Sequence, residues 1–215
     1  MVDKVMKTAW NKSEFDQYHY AANTNKAWID PYDLIKDIVN HYDDDHVDTN
    51  IVSESFKDIT GKFLVIGANN GLDHSRPLVE NGWQGFYCEV DPFATSELIK
   101  NSEDYKSQIT IINAAIADKN YGLKKFYLSL ESSYISSFSS EWINNHKLQN
   151  QQREILTNVI SFQTLIDQIG NDFDFISIDI EGHDVALCES IDWSQFSKLK
   201  MILLEAGPSV MKQLY

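Results

Sequence analysis

Basic residues are scarce in this chain: 18 lysines and arginines stand against 32 acidic residues, a net charge of −14. No basic stripe interrupts the excess. Phosphate backbones and anionic membrane surfaces are therefore repelled, and neither nucleic acid nor a membrane is an expected partner. Solubility alone accounts for a surface of this sign. Cysteine is scarcer still. Cys88 and Cys188 lie far apart, each in an apolar segment, which suits buried free thiols in a reducing compartment; a single disulfide is also compatible with the sequence. There is no CxxC or histidine-rich tract, so no structural metal is expected. Long apolar runs are missing as well. The longest, "FLVI" and "MILL", fall far short of the roughly 20 residues that span a bilayer as a helix. The opening stretch "MVDKVMKTAWNKSEF" lacks the apolar centre of a secretory leader, and a cytoplasmic protein is expected.

What is present suits one domain with an appendage. We read residues 1–58 as an N-terminal helical appendage or lid and residues 59–215 as a Rossmann-like domain. In the appendage, "DPYDLIKDIVNHY" offers Asp30 as N-cap and Pro31 at the first helical position. Leu34, Ile35, Ile38, Val39 and Tyr42 then recur at helical spacing, so one face should dock on the domain behind it. Asp43, Asp44 and Asp45 follow as a solvated loop. Trp10, Tyr18, His19, Tyr20 and Trp28 either anchor this segment to the core or cover an acceptor site.

From Gly61 onward, strand, turn and helix alternate. "KFLVIG", "GFYCEV", "QITIINAAIA", "FDFISIDI" and "KMILLEA" read as strands, with "KKFYLSL" alternating like a surface strand; "SRPLVENG", "PFATSELIKN" and "SFQTLIDQI" read as helices. Continuous apolar strands separated by helices indicate a parallel sheet covered on both faces. Right-handed crossovers then favour an α/β, doubly wound sheet, whose ligand crevice lies at the carboxyl ends of the strands where their order reverses. Functional residues are expected just after each strand.

The first strand runs into Gly67-Ala68-Asn69-Asn70-Gly71. Glycines here permit a tight turn and close backbone approach, and the next helix turns its free N–H groups toward an anionic group. The second strand ends in Glu89, about 22 residues beyond Gly67, the offset at which an acid accepts the ribose hydroxyls of an adenosine ligand. Ala114, Ala115 and Ile116 end the third strand with little bulk, which suits either an adenine slot or plain strand packing. The fourth strand leads into Asp179-Ile180-Glu181-Gly182-His183-Asp184. Three carboxylates and an imidazole leaving one buried strand are costly unless a crevice uses them. Alternation puts Asp179 and Glu181 on one side of the chain, and neighbouring like charges raise a carboxylate's pKa toward the range useful for proton transfer.

Taken in order, "VIGANNG", "CEVDP", "INAAIADKN", "KKFYLS" followed by "SSFSS", "FQTLID", "FDFISIDIEGHD" and "MILLEA" resemble the FkbM family of S-adenosylmethionine-dependent methyltransferases. The "IDIEGHD" element is the most specific of these; the glycine turn and "CEVDP" are shared more widely among Rossmann-like methyltransferases. The resemblance implies a class I methyltransferase sheet with the methyl donor over its first two strands. It puts Gly67, Asn69 and Gly71 against the donor's methionine part, Glu89 on the ribose, Ala115 and Ile116 near adenine, and Asp179 at the reaction centre. It implies O-methylation of a hydroxyl on a sugar or small metabolite, so a small hydroxylated acceptor is the expected partner.

Three features depart from the family pattern. Val65 replaces the acid usual two places before the first motif glycine, and Ser177 the lysine or arginine often found two places before the fourth-strand aspartate. After Ala206 only nine residues remain, too few for the closing antiparallel hairpin with its loop. That would leave the fifth strand as an apolar edge, so we expect dimerisation there or coverage by the N-terminal helix or the C-terminal tail.

For the reaction, Asp179, Glu181 and His183 are the candidate bases, with His74 a further one. No metal is assigned, although the carboxylates of 179–184 have the chemistry to hold one. Two other readings stay open: a non-catalytic binding or assembly protein derived from a methyltransferase, suggested by Val65 and the short ending, and an NAD-dependent oxidoreductase, which shares the glycine turn and the ribose acid but has no place for "IDIEGHD".

Overall fold

The computed structural model describes residues 5–7, 47–130, 136–138, 152–180 and 183–204. The helix expected at residues 30–42 and the aromatic residues of the N-terminal segment lie outside them, as do Glu181 and the residues after Leu204.

Three strands appear where apolar runs meet turn signals: β2 (Lys62–Ile66), β3 (Gln84–Glu89) and β4 (Ile109–Asn113). Two more, β8 (Phe175–Ile178) and β9 (Met201–Leu204), are buried along their whole length. A short strand, β1 (Val5–Lys7), precedes them in the chain. The six form one parallel sheet in the order β1-β9-β8-β2-β3-β4.

Alternation sorts the side chains of these strands into two cores. Phe63, Val65, Tyr87, Phe175, Met201 and Leu203 point to one face, where they meet Val52 and Phe56 of helix α1 (Val47–Phe56), Leu78 and Val79 of α2 (Arg76–Glu80), and Leu98 of α3 (Pro92–Asn101). Leu64, Ile66, Cys88, Ile176, Ile178, Ile202 and Leu204 point to the other. There they meet Phe162, Leu165 and Ile166 of α4 (Phe162–Ile169) and Leu187 of α5 (Asp184–Ser190). Helices on both faces of a parallel sheet make this the doubly wound α/β architecture. Helix starts follow local chemistry. Asp91 caps α3 by accepting from the N–H groups of Phe93 and Ala94, with Pro92 at the first turn, and Ser161 caps α4 by accepting from Thr164.

Phe175 sits at the centre of the first core, fully buried, with its ring 5.8 Å from that of Phe56 and 6.0 Å from that of His74. Phe175→Ala is expected to cost about 3–5 kcal/mol, because a close-packed site between strand and helix cannot collapse around the void. Urea unfolding measures this, and a loss below about 1 kcal/mol would contradict the packing described.

Three elements differ from the sequence expectations. The segment "QITIINAAIA", read as one strand, is two. It leaves the main sheet at Ala114, and Ala115–Ala117 (β5) pairs in parallel with Val159–Ser161 of a second sheet. Asn113 marks the departure: its side-chain amide donates to the carbonyls of Glu89 and Val90 and to the Thr95 hydroxyl, tying the end of β4 to β3. The second sheet, ordered β5-β7-β6, also contains β6 (Gly122–Ser129), the surface strand read from "KKFYLSL", and β7 (Gln152–Ser161), which the sequence pattern left unassigned. Finally, the flank of β9 carries β1, a parallel strand from the N-terminal segment rather than a helix or the C-terminal tail.

Candidate active site

Strand order runs outward from β2 to β3 and β4 on one side and from β8 to β9 on the other, so it reverses between β2 and β8. Their carboxyl ends release Gly67 and Asp179. The two chains approach so closely that a Cβ placed on Gly67 would lie 1.6 Å from the Asp179 carbonyl oxygen, and Gly67 has φ +81°, a conformation glycine alone adopts cheaply. The contact is fixed by backbone: Asp179 N–H donates to the Ile66 carbonyl at 2.9 Å, and the N–H groups of Gly67 and Ala68 both donate to the Cys88 carbonyl.

Glu89 closes the far side of the turn. Its carboxylate is 7% exposed; one oxygen accepts from Asn69 N–H and the other from Asp91 N–H, each at 2.7 Å. Burial raises its pKa above the ordinary glutamate value, while the hydrogen bonds from the backbone of Asp91 and Asn69 pull it down. A carboxylate oxygen holds more than one acceptor site, so both retain capacity for a hydroxyl.

A cavity of about 540 Å³ opens here, within the roughly 300–1,000 Å³ usual for small-molecule sites. Gly67, Asn69, Glu89, Ala115, Ile116, Asp179 and His183 line it, so the structure brings together seven of the nine sequence-derived site residues. Glu181 lies outside the described residues. Gly71 is not among the described residues lining the cavity, has ordinary backbone, and is nearest to the Asp73 side chain. His74 does not line the cavity either. Its ring packs edge-on to Phe175 inside the core, where burial pushes its pKa down to about 4. It is neutral at physiological pH and is not a base for this site. Cys88 also reaches the cavity wall, but burial lifts its thiol to about 12, so it is no nucleophile.

The sequence reading passed over several contributors. Asp91 does more than cap α3: its second carboxylate oxygen accepts from the Ser136 hydroxyl at 3.0 Å, and Ser136 accepts in turn from Ser129 N–H. Tyr127 and Ser137 exchange two backbone hydrogen bonds. The second sheet is thereby tied to the end of β3 and walls one side of the cavity with Phe126, Tyr127 and Phe138. The signal was the serine-rich string after "KKFYLS", visible in the sequence but without an assigned partner. Asp184 is legible in the sequence among the carboxylates after the fourth strand, but its role is not: as the first residue of α5 it accepts from Ile180 N–H at 2.7 Å and shapes the turn that follows Asp179.

The two residues that depart from the family pattern around the glycine turn are neighbours in the sheet. Val65 and Ser177 are direct partners across the β2–β8 ladder, 4% and 1% exposed. An acid and a base at these places would form a buried cross-strand pair, and replacing only one would strand a charge in the core. Replacing both leaves none. Val65 packs in the core rather than on the cavity.

Among the described residues, no three histidine, cysteine, aspartate or glutamate side chains gather as a metal site, and no helix is long and apolar enough to cross a membrane.

A parallel sheet whose order reverses above a glycine turn, with an acid at the end of the next strand, defines a Rossmann-like α/β domain. Residues 66–212 match the methyltransferase FkbM domain, and the chain belongs to that family. S-adenosylmethionine is its cofactor, and the residues present fit it: the Gly67 cradle admits no side chain, Glu89 keeps acceptor capacity, and Ala114, Ala115 and Ile116 leave a slot without bulk. Among solved structures, the N-terminal domain of human METTL16 in complex with SAH is similar at 11% identity, with a TM-score of 0.36, covering 83% of this chain and 68% of that one. No curated protein matches the sequence.

Proposed function

We propose that the protein transfers a methyl group from S-adenosylmethionine to a hydroxyl of a sugar or other small metabolite. The observation that carries this reading is the single cavity shared by the glycine turn, Glu89 and Asp179 in a chain of the FkbM methyltransferase family. When bound, the donor supplies an already activated methyl, so the protein's tasks are alignment and removal of the acceptor's proton. Gly67 and Asn69 receive the donor's methionine part, Glu89 accepts from the ribose hydroxyls, and Ala115 and Ile116 flank adenine. Asp179, at the end of β8 beside the Gly67 turn, takes the hydroxyl proton, with Glu181 and His183 as the other candidates. His183 is exposed and lines the cavity, and an imidazole there has the chemistry of a proton acceptor.

Asp179→Ala is expected to lower turnover by about 10²- to 10⁴-fold with S-adenosylhomocysteine binding largely kept, the usual size of a general-base contribution. Assays with labelled donor across a panel of hydroxylated acceptors, run beside Glu181→Ala and His183→Ala, assign the base. Full turnover in all three variants, each folded and donor-binding, would refute proton removal by this segment. A non-catalytic binding protein derived from the same family is the second reading, favoured by the loss of the acid at Val65; donor binding without turnover on every acceptor would support it.

A further inference from the structure

The cavity wall carries a cation for which the donor has no use. Lys124 and Phe126 are two apart on β6 and so share a face, and both line the cavity. The Lys124 ammonium sits 4.9 Å from the centre of the Tyr121 ring, and the Lys119 ammonium sits 5.0 Å from the same centre. Tyr121 is itself held in place, its hydroxyl donating to Asp118 at 3.0 Å. Among the described residues, six other lysines are ion-paired, and Lys100, which is not, does not line the cavity. Lys57, Lys62, Lys106, Lys125, Lys198 and Lys200 each lie within ion-pair distance of a carboxylate. Among the described residues, neither Lys119 nor Lys124 has a carboxylate within 4.0 Å, in a chain with 32 acidic residues to choose from. Two like charges drawn to one ring repel each other, and the tyrosine face offsets only part of that cost.

We propose that Lys124, backed by Lys119 on the Tyr121 platform, receives an anionic group of the methyl acceptor, so that the substrate is a phosphorylated or carboxylated hydroxy compound. This rests on the methyltransferase reading above. The position supports the acceptor rather than the donor. By the reading above, the donor's carboxylate goes with its methionine part at Gly67 and Asn69, whereas Lys124 lines the cavity from β6 of the second sheet. An ammonium binds phosphate or carboxylate as a point charge, which suits a flexible lysine held over a ring. In a strongly negative protein, a local cationic spot also gives an anionic substrate one favourable point of approach.

The test uses the full chain saturated with S-adenosylhomocysteine, titrated calorimetrically with inorganic phosphate, glucose 6-phosphate, glucuronate and glucose. At least one anionic probe is expected to bind about tenfold more tightly than glucose; the phosphate and glucuronate arms separate the two anion classes. The Lys119→Gln/Lys124→Gln double variant is expected to abolish that preference while leaving S-adenosylhomocysteine affinity unchanged. Lys106→Gln, which removes a remote surface charge, should leave both unchanged. The proposal is overturned if no anionic probe binds better than glucose, if the preference survives in the double variant, or if the double variant loses affinity for S-adenosylhomocysteine. That last result would assign the lysines to the donor. Failure of the unmodified protein to bind S-adenosylhomocysteine would instead overturn the methyltransferase reading itself.

Discussion

Gly67→Ala is expected to destabilise the protein by roughly 3 kcal/mol or more and to remove measurable binding of S-adenosylhomocysteine. Two costs combine. At φ +81° a side chain is strained by about 1–2 kcal/mol. The added Cβ also falls 1.6 Å from the Asp179 carbonyl oxygen, which is backbone and cannot rotate aside. Relief requires β2 and β8 to part at their carboxyl ends, and that movement opens the crevice proposed to hold the donor. Gly71→Ala provides the contrast. Its new Cβ would meet only the Asp73 side chain, at 3.1 Å, and its backbone needs no glycine, so a change within about 1 kcal/mol is expected. Urea unfolding and calorimetry on the two variants measure the difference. Equal behaviour of the two alanines would refute the assignment of Gly67 as the pinch point of the site.

The second large effect is expected at Glu89. Its carboxylate is the common acceptor for Asn69 N–H and Asp91 N–H, so Glu89→Ala orphans two backbone donors in a buried place, at about 1–3 kcal/mol each. It also removes the proposed acceptor for the ribose. Donor affinity should fall by about 100-fold or more. Glu89→Gln keeps the shape, but its NH₂ must face one of those N–H groups, so it should weaken binding without restoring the wild-type level.

The pH dependence carries a definite sign. Burial raises this carboxyl above its ordinary 4.5, so between the unfolded and folded values the native state holds the extra proton. The ligand-free protein therefore loses stability from this group as pH rises through that window. Donor affinity moves the other way. The ionised acid accepts from the ribose, so binding should weaken as pH falls through the raised pKa and be flat above it. Glu89→Gln should abolish that dependence. Wild-type affinity that is level down to the ordinary glutamate range would argue against Glu89 as the ribose acceptor.

Residues buried on both faces of a sheet write themselves as unbroken apolar strings, which is why β2, β3, β8 and β9 were legible in the sequence together with the doubly wound arrangement they imply. The offset from Gly67 to Glu89 was legible for a related reason, since one βαβ unit fixes the spacing. Of the second sheet only β6 was, from the alternation in "KKFYLSL". Residues 152–161 mix exposed and half-buried positions without a clean two-residue period, and Leu156 is an exposed apolar residue on that strand. The break at Ala114 was hidden because strand propensity continues across it, and only the Asn113 side chain betrays the change of sheet. Gly67 and Gly71 look equivalent as letters, and their difference exists only in backbone angle and in what stands opposite. The kinship of Val65 and Ser177 likewise needs strand register. They are 112 positions apart in the chain yet adjacent in the ladder. The Lys119–Tyr121–Lys124 group was not singled out in the sequence, because a missing ion-pair partner is a fact of space and not of sequence.

The account stands on the crevice between Gly67 and Glu89 holding an adenosyl ligand, and isothermal titration of the full chain with S-adenosylhomocysteine, beside NAD, tests this most directly. Saturable one-to-one binding of S-adenosylhomocysteine with a dissociation constant below about 1 mM, and none of NAD, is the predicted result. No heat from S-adenosylhomocysteine at millimolar concentration, or tighter binding of NAD, would contradict it.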